Sequence, residues 1–477
     1  MTRWPAEFKA QMQKLLNEKT EAFFAAQAQP APVSLRMNPS KLRISSAQDN
    51  LHQVPWSQTG LYLSERPVFT LDPRFHAGGY YVQDASCMLL EAIYLQLPFK
   101  TEALKVLDLC AAPGGKSTHL ASLISREAWL IANEVVPARA RILAENIAKW
   151  GAENVFVSQN QAKDFQKLPF QFDLILADAP CSGEGLFRRQ TEALEEWSPA
   201  QVLQCATRQD QILEEIWPCL KPGGLLIYST CTWNSSENEM LLQAFQLKHD
   251  FENLEMHFPP EWGIDCSKEM PLYRCYPHRL EGEGFSFSVL RKPESTPPHS
   301  HPPKELKRQQ AKKSEAPVNR VHLAQVTEWV QAAEAQDFIT EKEQIWYLPS
   351  RFAHEFQELN KALKLLSKGI FSAEIKGKDL IPAAPLALYP GLRSTNFQIR
   401  ELSLEEAIAY LSREALPGQG KGWHLFCYQG LALGWAKATA THFNNAWPKE
   451  WKIRQRFANI QLEENLSHLP DFQSIRT

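Results

Sequence analysis

Val106-Leu107-Asp108-Leu109-Cys110-Ala111-Ala112-Pro113-Gly114-Gly115-Lys116 is the stretch that decides the fold. An apolar run leads into small residues, the pattern of a strand ending in a loop whose backbone can approach a ligand. A helix is expected from Ser117. In open α/β sheets this edge, outside the C-terminal ends of the strands, is where ligands bind. Two similar nucleotide loops are excluded. A P-loop needs a glycine where this chain has Cys110, and the GxGxxG spacing of a dinucleotide turn is absent.

Outward from this loop, apolar strands alternate with helices from about residue 100 to 292. Trp129–Glu134 reads as a second strand. Pro137 suits the first turn of a helix that reaches Trp150, with Gly151 as its C-cap. Asn154–Ser158 and Phe172–Ala177 read as further strands. Lys221-Pro222-Gly223-Gly224 reads as a turn before a strand over Leu225–Thr230. A helix is expected from near Ser236, with Glu239 completing a capping box. Such alternation predicts a mostly parallel sheet with helices on both faces.

The acidic residue closing the second strand, Glu134, suits both ribose hydroxyls of an adenosine-type cofactor. The bland alternative is a surface carboxylate. The fourth strand runs into Asp178-Ala179-Pro180-Cys181-Ser182-Gly183 and the fifth into Thr230-Cys231-Thr232. In a parallel sheet both ends share the edge with the cofactor loop. Asp178, Cys181 and Cys231 are therefore expected around one ligand. A lone cysteine is more often a small buried hydrophobe, and Cys87, Cys205, Cys219, Cys266, Cys275 and Cys427 are read that way. Two cysteines on neighbouring strand ends beside a carboxyl suit covalent catalysis, in which a thiolate splits one hard step into two. Thiolate addition to an electron-poor ring makes the neighbouring carbon enamine-like, and a nearby acid, a role for Asp178 if burial raises its pKa, would neutralise the charge that builds up.

The bulk properties are compatible with this reading. The 477 residues suggest about two to four domains at roughly 100–200 residues each. Hydrophobic residues make up 44% and charged residues 22%, a globular composition. No apolar run approaches the ~20 residues of a membrane span, and Met1–Lys14 lacks the apolar core of a signal peptide. A cytoplasmic location with no membrane contact is expected, and the nine cysteines should be free thiols there. No pair has CxxC spacing, so no metal site is expected. Net charge is −3, so nucleic-acid binding would need local basic surface. Arg291–Arg320 offers eight Lys/Arg against three Glu, with six prolines.

These motifs together resemble the Nop/Sun family of RNA cytosine-5 methyltransferases, most closely its bacterial RsmF-type branch. The likeness also includes Ser34-Leu35-Arg36-Met37-Asn38, Tyr81-Val82-Gln83-Asp84, Glu134-Val135-Val136-Pro137-Ala138-Arg139 and Glu184-Gly185. Toward the C-terminus it includes Gly430-Leu431-Ala432-Leu433-Gly434-Trp435-Ala436-Lys437 and Pro448-Lys449. The resemblance implies an α/β chain: a Rossmann-like class I methyltransferase core, an α/β N-terminal RNA-binding lobe and a C-terminal PUA-like module. The expected division is an N-terminal lobe over 1–95, the methyltransferase domain over 96–292, a basic proline-rich linker over 293–320, a connecting α/β segment over 321–380 and the PUA-like module over 381–477.

The resemblance further implies that S-adenosylmethionine is the cofactor, contacted by Cys110, Ala111, Ala112, Pro113, Gly114, Gly115, Lys116, Glu134 and Asp178. It implies Cys231 as nucleophile, Cys181 as the cysteine that assists release, and Asp178 as a group serving both cofactor and base. The family's adenine-binding Asp aligns with Gln161, whose amide can accept the same bond, and Asp164 is its rival. The implied product is 5-methylcytosine in small-subunit (16S) ribosomal RNA, within a 30S subunit or its precursor, and a monomer is expected. The same chemistry on transfer RNA or another ribosomal position stays open. So does a ribosome-assembly factor with a vestigial methyltransferase fold, although an intact cysteine pair argues against it. Every expected catalytic residue precedes the linker, so a chain ending near Lys292 is expected, if it folds, to keep cofactor binding and to lose RNA affinity.

Overall fold

The computed structural model describes residues 4–44, 52–99, 101–267, 270–297, 320–454 and 461–475. Most of the expected basic linker, 298–319, lies outside the described residues.

The central sheet has ten strands. Five are parallel, in the spatial order Val155–Ser158, Trp129–Asn133, Lys105–Asp108, Phe172–Asp178 and Leu220–Thr230. The chain order reverses across Lys105–Asp108, which opens a crevice at the end of that strand. Phe285–Arg291 then pairs antiparallel with Leu220–Thr230. Alternate side chains along the strands serve two cores. Val106, Leu130, Val157 and Leu174 face one, and Leu107, Ile131, Phe156 and Ile175 the other. The helix Pro137–Trp150 ends at Gly151 in the left-handed region, φ +79°.

Three local expectations change. Lys221–Gly224 is not a turn but an irregularity inside one strand, Leu220–Thr230. The register jumps there from Phe172↔Leu220 to Leu174↔Leu225. Gly223 takes φ +73° and donates to Lys292 O, so the extra residues loop out without ending the pairing. The next helix starts at Glu239 with Asn238 before it, and Ser236 does not cap it, because Asn238 is held instead by Thr230, Thr232 and Asn234. Val33-Ser34-Leu35-Arg36-Met37-Asn38-Pro39 alternates apolar and polar residues and reads from sequence as a strand, yet burial along Val33–Met37 does not alternate, since Ser34 to Met37 are all buried. It is the middle strand of a three-stranded sheet, between Gly60–Leu63 and Tyr80–Val82, and it is covered on both faces. Leu35 and Met37 pack with the C-terminal module, while Arg36 turns to the methyltransferase core.

The segments after residue 320 are built into the earlier ones. Leu365–Lys368 extends the central sheet by pairing with Val155–Ser158. Phe472–Ser474 pairs with Leu42–Ile44 near the N-terminus. A five-stranded sheet centred on Trp423–Tyr428 and Leu431–Ala438 shares its core with the N-terminal lobe. Leu348, Phe352, Phe356, Leu359 and Leu363 pack with Phe156, Phe165 and Leu168 of the methyltransferase core. At ~1.5–3 kcal/mol for each buried side chain, their loss approaches the whole net stability of a domain, ~5–15 kcal/mol. A chain cut after Lys292 is therefore expected to melt far below the full chain, or to aggregate, and to lose cofactor binding with its fold. Thermal unfolding and cofactor titration of the cut chain check this; wild-type affinity in a cooperatively folded fragment would contradict it.

Candidate active site

The loop after Lys105–Asp108 is shaped from its outer side. Ala111 N–H donates to Asn133 O at 2.8 Å. Arg139 donates to Ala112 O at 2.9 Å and Asn146 to Pro113 O at 2.8 Å. Gly114 sits at φ +115°, where a Cβ would press on Leu143 Cδ1 at 3.3 Å. The helix Gly115–Leu123 follows at once, two residues before the expected start. Arg36 reaches it from the N-terminal lobe. It is fully buried, donates to Thr118 Oγ1 at 2.6 Å and to Gly115 O at 3.2 Å, and stacks on Trp150. Burial lowers its pKa to about 9.

Asp108 is buried beneath this loop. Its Oδ2 accepts from Ser117 at 2.6 Å, and its Oδ1 has no partner among the described residues. Burial, only partly offset by Ser117, pushes its pKa up to about 7. A buried carboxyl with one idle oxygen suits a cationic ligand group. Sequence reading missed it because an acid at the end of an apolar strand looks like a strand terminus.

Glu134 is 3% exposed, which removes the surface alternative. Its Oε1 accepts from Val136 N–H at 2.9 Å, and Arg139 lies 3.4 Å from Oε2. Asp164 is engaged in its own turn, accepting from Gln161 N–H at 3.0 Å and Lys167 Nζ at 2.7 Å. The Gln161 side chain is exposed at the same sheet edge. Cys110 is half-buried, and burial raises its thiol pKa.

The two strand-end cysteines meet. Cys181 Sγ and Cys231 Sγ are 2.9 Å apart, and Cys231 N–H points at Cys181 Sγ from 3.3 Å. The hydrogen bond to Cys231, with burial second, raises the Cys181 pKa well above the ordinary thiol range. Asp178 Oδ1 accepts from Ser229 at 2.8 Å, and its Oδ2 faces Lys116 Nζ at 2.8 Å. Lys116 is carried by the cofactor loop, but its ammonium lies against Asp178, over the Phe285 ring and 3.6 Å from Cys87 Sγ. Burial, the largest single effect, lowers the Lys116 pKa, yet Asp178, Cys87 and Asp108 together outweigh it and the net shift is upward. Cys87 therefore stands beside the Asp178–Lys116 pair. Its distance along the chain hides this, since the Leu89–Tyr94 helix packed on Gly115–Leu123 brings it there.

A cleft of about 530 Å³ lined by Arg141, Ile142, Trp346, Phe371 and Trp451 contains none of the expected site residues. Among the described residues no group of three or more His, Cys, Asp or Glu could hold a metal ion. No helix of the described residues is long and apolar enough to cross a membrane.

Residues 94–291 match the family described as 16S rRNA methyltransferase RsmB/F, 4–85 the N-terminal domain of 16S rRNA methyltransferase RsmF, and 397–453 the methyltransferase RsmF PUA domain. The chain is 32% identical over 456 residues to ribosomal RNA small subunit methyltransferase F of Aeromonas hydrophila subsp. hydrophila, covering 90% of this chain and 93% of that one. It is 31% identical to the Aeromonas salmonicida protein of the same name, with the same coverage. Among solved structures, a methyltransferase homolog protein from Pyrococcus horikoshii superposes with a TM-score of 0.51 at 29% identity, over 61% of this chain and 95% of that one. NSun6 from Pyrococcus horikoshii shares the fold, with a TM-score of 0.51 at 22% identity over 60% and 98% of the two chains. The chain belongs to the RsmF family of 16S ribosomal RNA methyltransferases.

Proposed function

We propose that this chain forms 5-methylcytosine in 16S ribosomal RNA, with S-adenosylmethionine as methyl donor, through a covalent bond from Cys231 to C6 of the target cytosine. The observation that carries the reading is the pair of sulfurs 2.9 Å apart beside the Asp178–Lys116 ion pair. When bound, the cofactor supplies an electrophilic sulfonium methyl. Cys110–Gly115 and Asp108 would hold its methionine end, Glu134 its ribose and Gln161 its adenine.

Cys231 takes the nucleophile role that the family resemblance implies, with Cys181 sulfur at hydrogen-bond distance, 2.9 Å, from its own. Attack at C6 moves charge onto the ring at N3 and O2, where the Lys116–Asp178 pair meets it. Release removes the C5 proton and breaks the C6–S bond. Cys181 assists here, at hydrogen-bond distance from the departing sulfur. The C5 proton passes to water, and the two sulfurs again share one proton. The base enters unpaired or flipped out, since a helix hides its C5–C6 edge.

The N-terminal lobe, the 293–320 linker and the C-terminal module supply affinity for RNA, within a 30S subunit or its precursor, by a cytoplasmic monomer. Transfer of tritiated methyl groups to ribosomal RNA from cells lacking the gene, with the modified base mapped, tests the reading. Methylation at a base other than cytosine would sink it.

Glu134→Ala is expected to weaken S-adenosylmethionine binding by ~1.5–3 kcal/mol, the worth of a hydrogen bond to a charged acceptor. The rate at saturating cofactor should stay near wild type. Calorimetric titration measures this. A lower melting temperature at unchanged affinity would instead make Glu134 a brace for the 134–139 turn.

A further inference from the structure

Behind the two cysteines lies a polar cluster that the chemistry above does not use. Glu184 and Glu237 are fully buried and Asn234 is 2% exposed. Glu184 follows Cys181 in the chain but grips the other cysteine's loop. Its Oε2 accepts from Trp233 N–H at 2.7 Å and Asn234 N–H at 3.2 Å. Glu237 follows Cys231 and grips the loop of Cys181. It accepts from Ser182 N–H at 3.0 Å, from the Ser182 hydroxyl, and from Gln209 Nε2 at 2.8 Å. Asn234 ties the two together, its Nδ2 lying 3.1 Å from Glu184 Oε1 and 2.8 Å from Glu237 Oε1. From the N-terminal helix, Gln11 Nε2 closes on Glu184 Oε1 at 2.7 Å.

We propose that Glu184, Asn234 and Glu237 form a crossed brace that sets the approach of Cys231 to the base and of Cys181 to Cys231, each cysteine loop being held by a carboxylate from the other.

The brace is a costly device if stability is all it serves. Its donors are neutral amides and a hydroxyl, and buried carboxylates are costly to keep where apolar residues would pack as well. Its geometry is specific because every carboxylate oxygen faces only donors. A glutamine at either position would turn an N–H₂ against those donors and force one loop to shift. The Glu184 arm bears on the residues after the attacking sulfur, and the Glu237 arm on the residue after the releasing one. The two arms should therefore affect different steps. Neither arm touches the 110–116 loop, so cofactor affinity should not report on them.

The inference rests on the cysteine roles proposed above. Glu184→Gln and Glu237→Gln are made in the full chain, and Glu184→Gln also with Cys181→Ser. Turnover on 16S ribosomal RNA, S-adenosylmethionine affinity and denaturant-resistant adducts are measured. Both single variants should lose tenfold or more in kcat with cofactor affinity within twofold of wild type. Glu237→Gln should accumulate adduct. Glu184→Gln with Cys181→Ser should form adduct at least tenfold more slowly than Cys181→Ser alone. Wild-type kcat in both single variants overturns the brace. So does a kcat loss matched by an equal loss of cofactor affinity, which is fold damage. If Cys181→Ser itself forms no adduct while both glutamine variants remain slow at unchanged affinity, the covalent roles fail and the positioning role stands. Should the glutamine variants not fold, Ser182→Ala decides: it removes one donor to Glu237 and adds nothing. A threefold or larger drop in kcat supports the brace, and a smaller one overturns it.

Discussion

The Cys181→Ser enzyme will accumulate as a denaturant-resistant complex with RNA, a slower band on a denaturing gel, while the Cys231→Ser enzyme will form none and lose all turnover. In the proposed mechanism, methyl transfer needs the Cys231–C6 bond and no more of the thiol pair. Release needs the C6–S bond to break 2.9 Å from Cys181. Serine at 181 keeps a hydroxyl but loses the polarisable sulfur against which Cys231 is held, so elimination stalls after the methyl has moved. The band should appear only with S-adenosylmethionine present, and the double variant should lack it. A band carried by Cys231→Ser would exchange the two roles. Full activity in both single variants, with no band, would end the covalent reading.

The parts of this site that the sequence displayed are those written locally. Apolar strands of regular spacing with small residues after them located the crevice. A parallel sheet then requires the ends of Phe172–Asp178 and Leu220–Thr230 to be neighbours, so the meeting of Asp178, Cys181 and Cys231 followed from strand order alone. What stayed hidden depends on contacts distant in sequence. Glu184 lies in the Glu184-Gly185 motif and Glu237 next to Ser236, and nothing local marks either one; only the fold shows each gripping the opposite loop. Asp108 was concealed by the hydrophobicity of its own strand. Cys87 was set aside because nothing local connects it to Lys116. The Leu365–Lys368 strand is short and half-exposed, and no periodicity in it announces that it pairs with Val155–Ser158 far upstream. The even burial of Val33–Met37 was missed for the same reason: its two covers come from opposite ends of the chain.

Lys116 has two incompatible descriptions, and one substitution separates them. By resemblance it belongs to the loop that cradles the cofactor. By geometry its ammonium has left that loop for Asp178 and the Phe285 ring, with only 13% of the side chain exposed. Lys116→Met keeps most of the buried methylene packing and removes the charge. Asp178 would then retain the Ser229 hydroxyl as a donor and face the base without its cation. Charge building on the pyrimidine as Cys231 adds would lose its nearest positive group in a site shielded from water. Loss of one such preorganised donor slows an enzyme by about two to three orders of magnitude. The expected result for Lys116→Met is therefore a fall in kcat of that size, with S-adenosylmethionine affinity within a few-fold of wild type. Lys116→Arg should not restore it, because a planar guanidinium cannot take the place of a compact ammonium wedged between a carboxylate and a ring. The opposite pattern, weak cofactor binding with kcat preserved at saturation, would return Lys116 to the cofactor and leave Asp178 to act on the base without a cation.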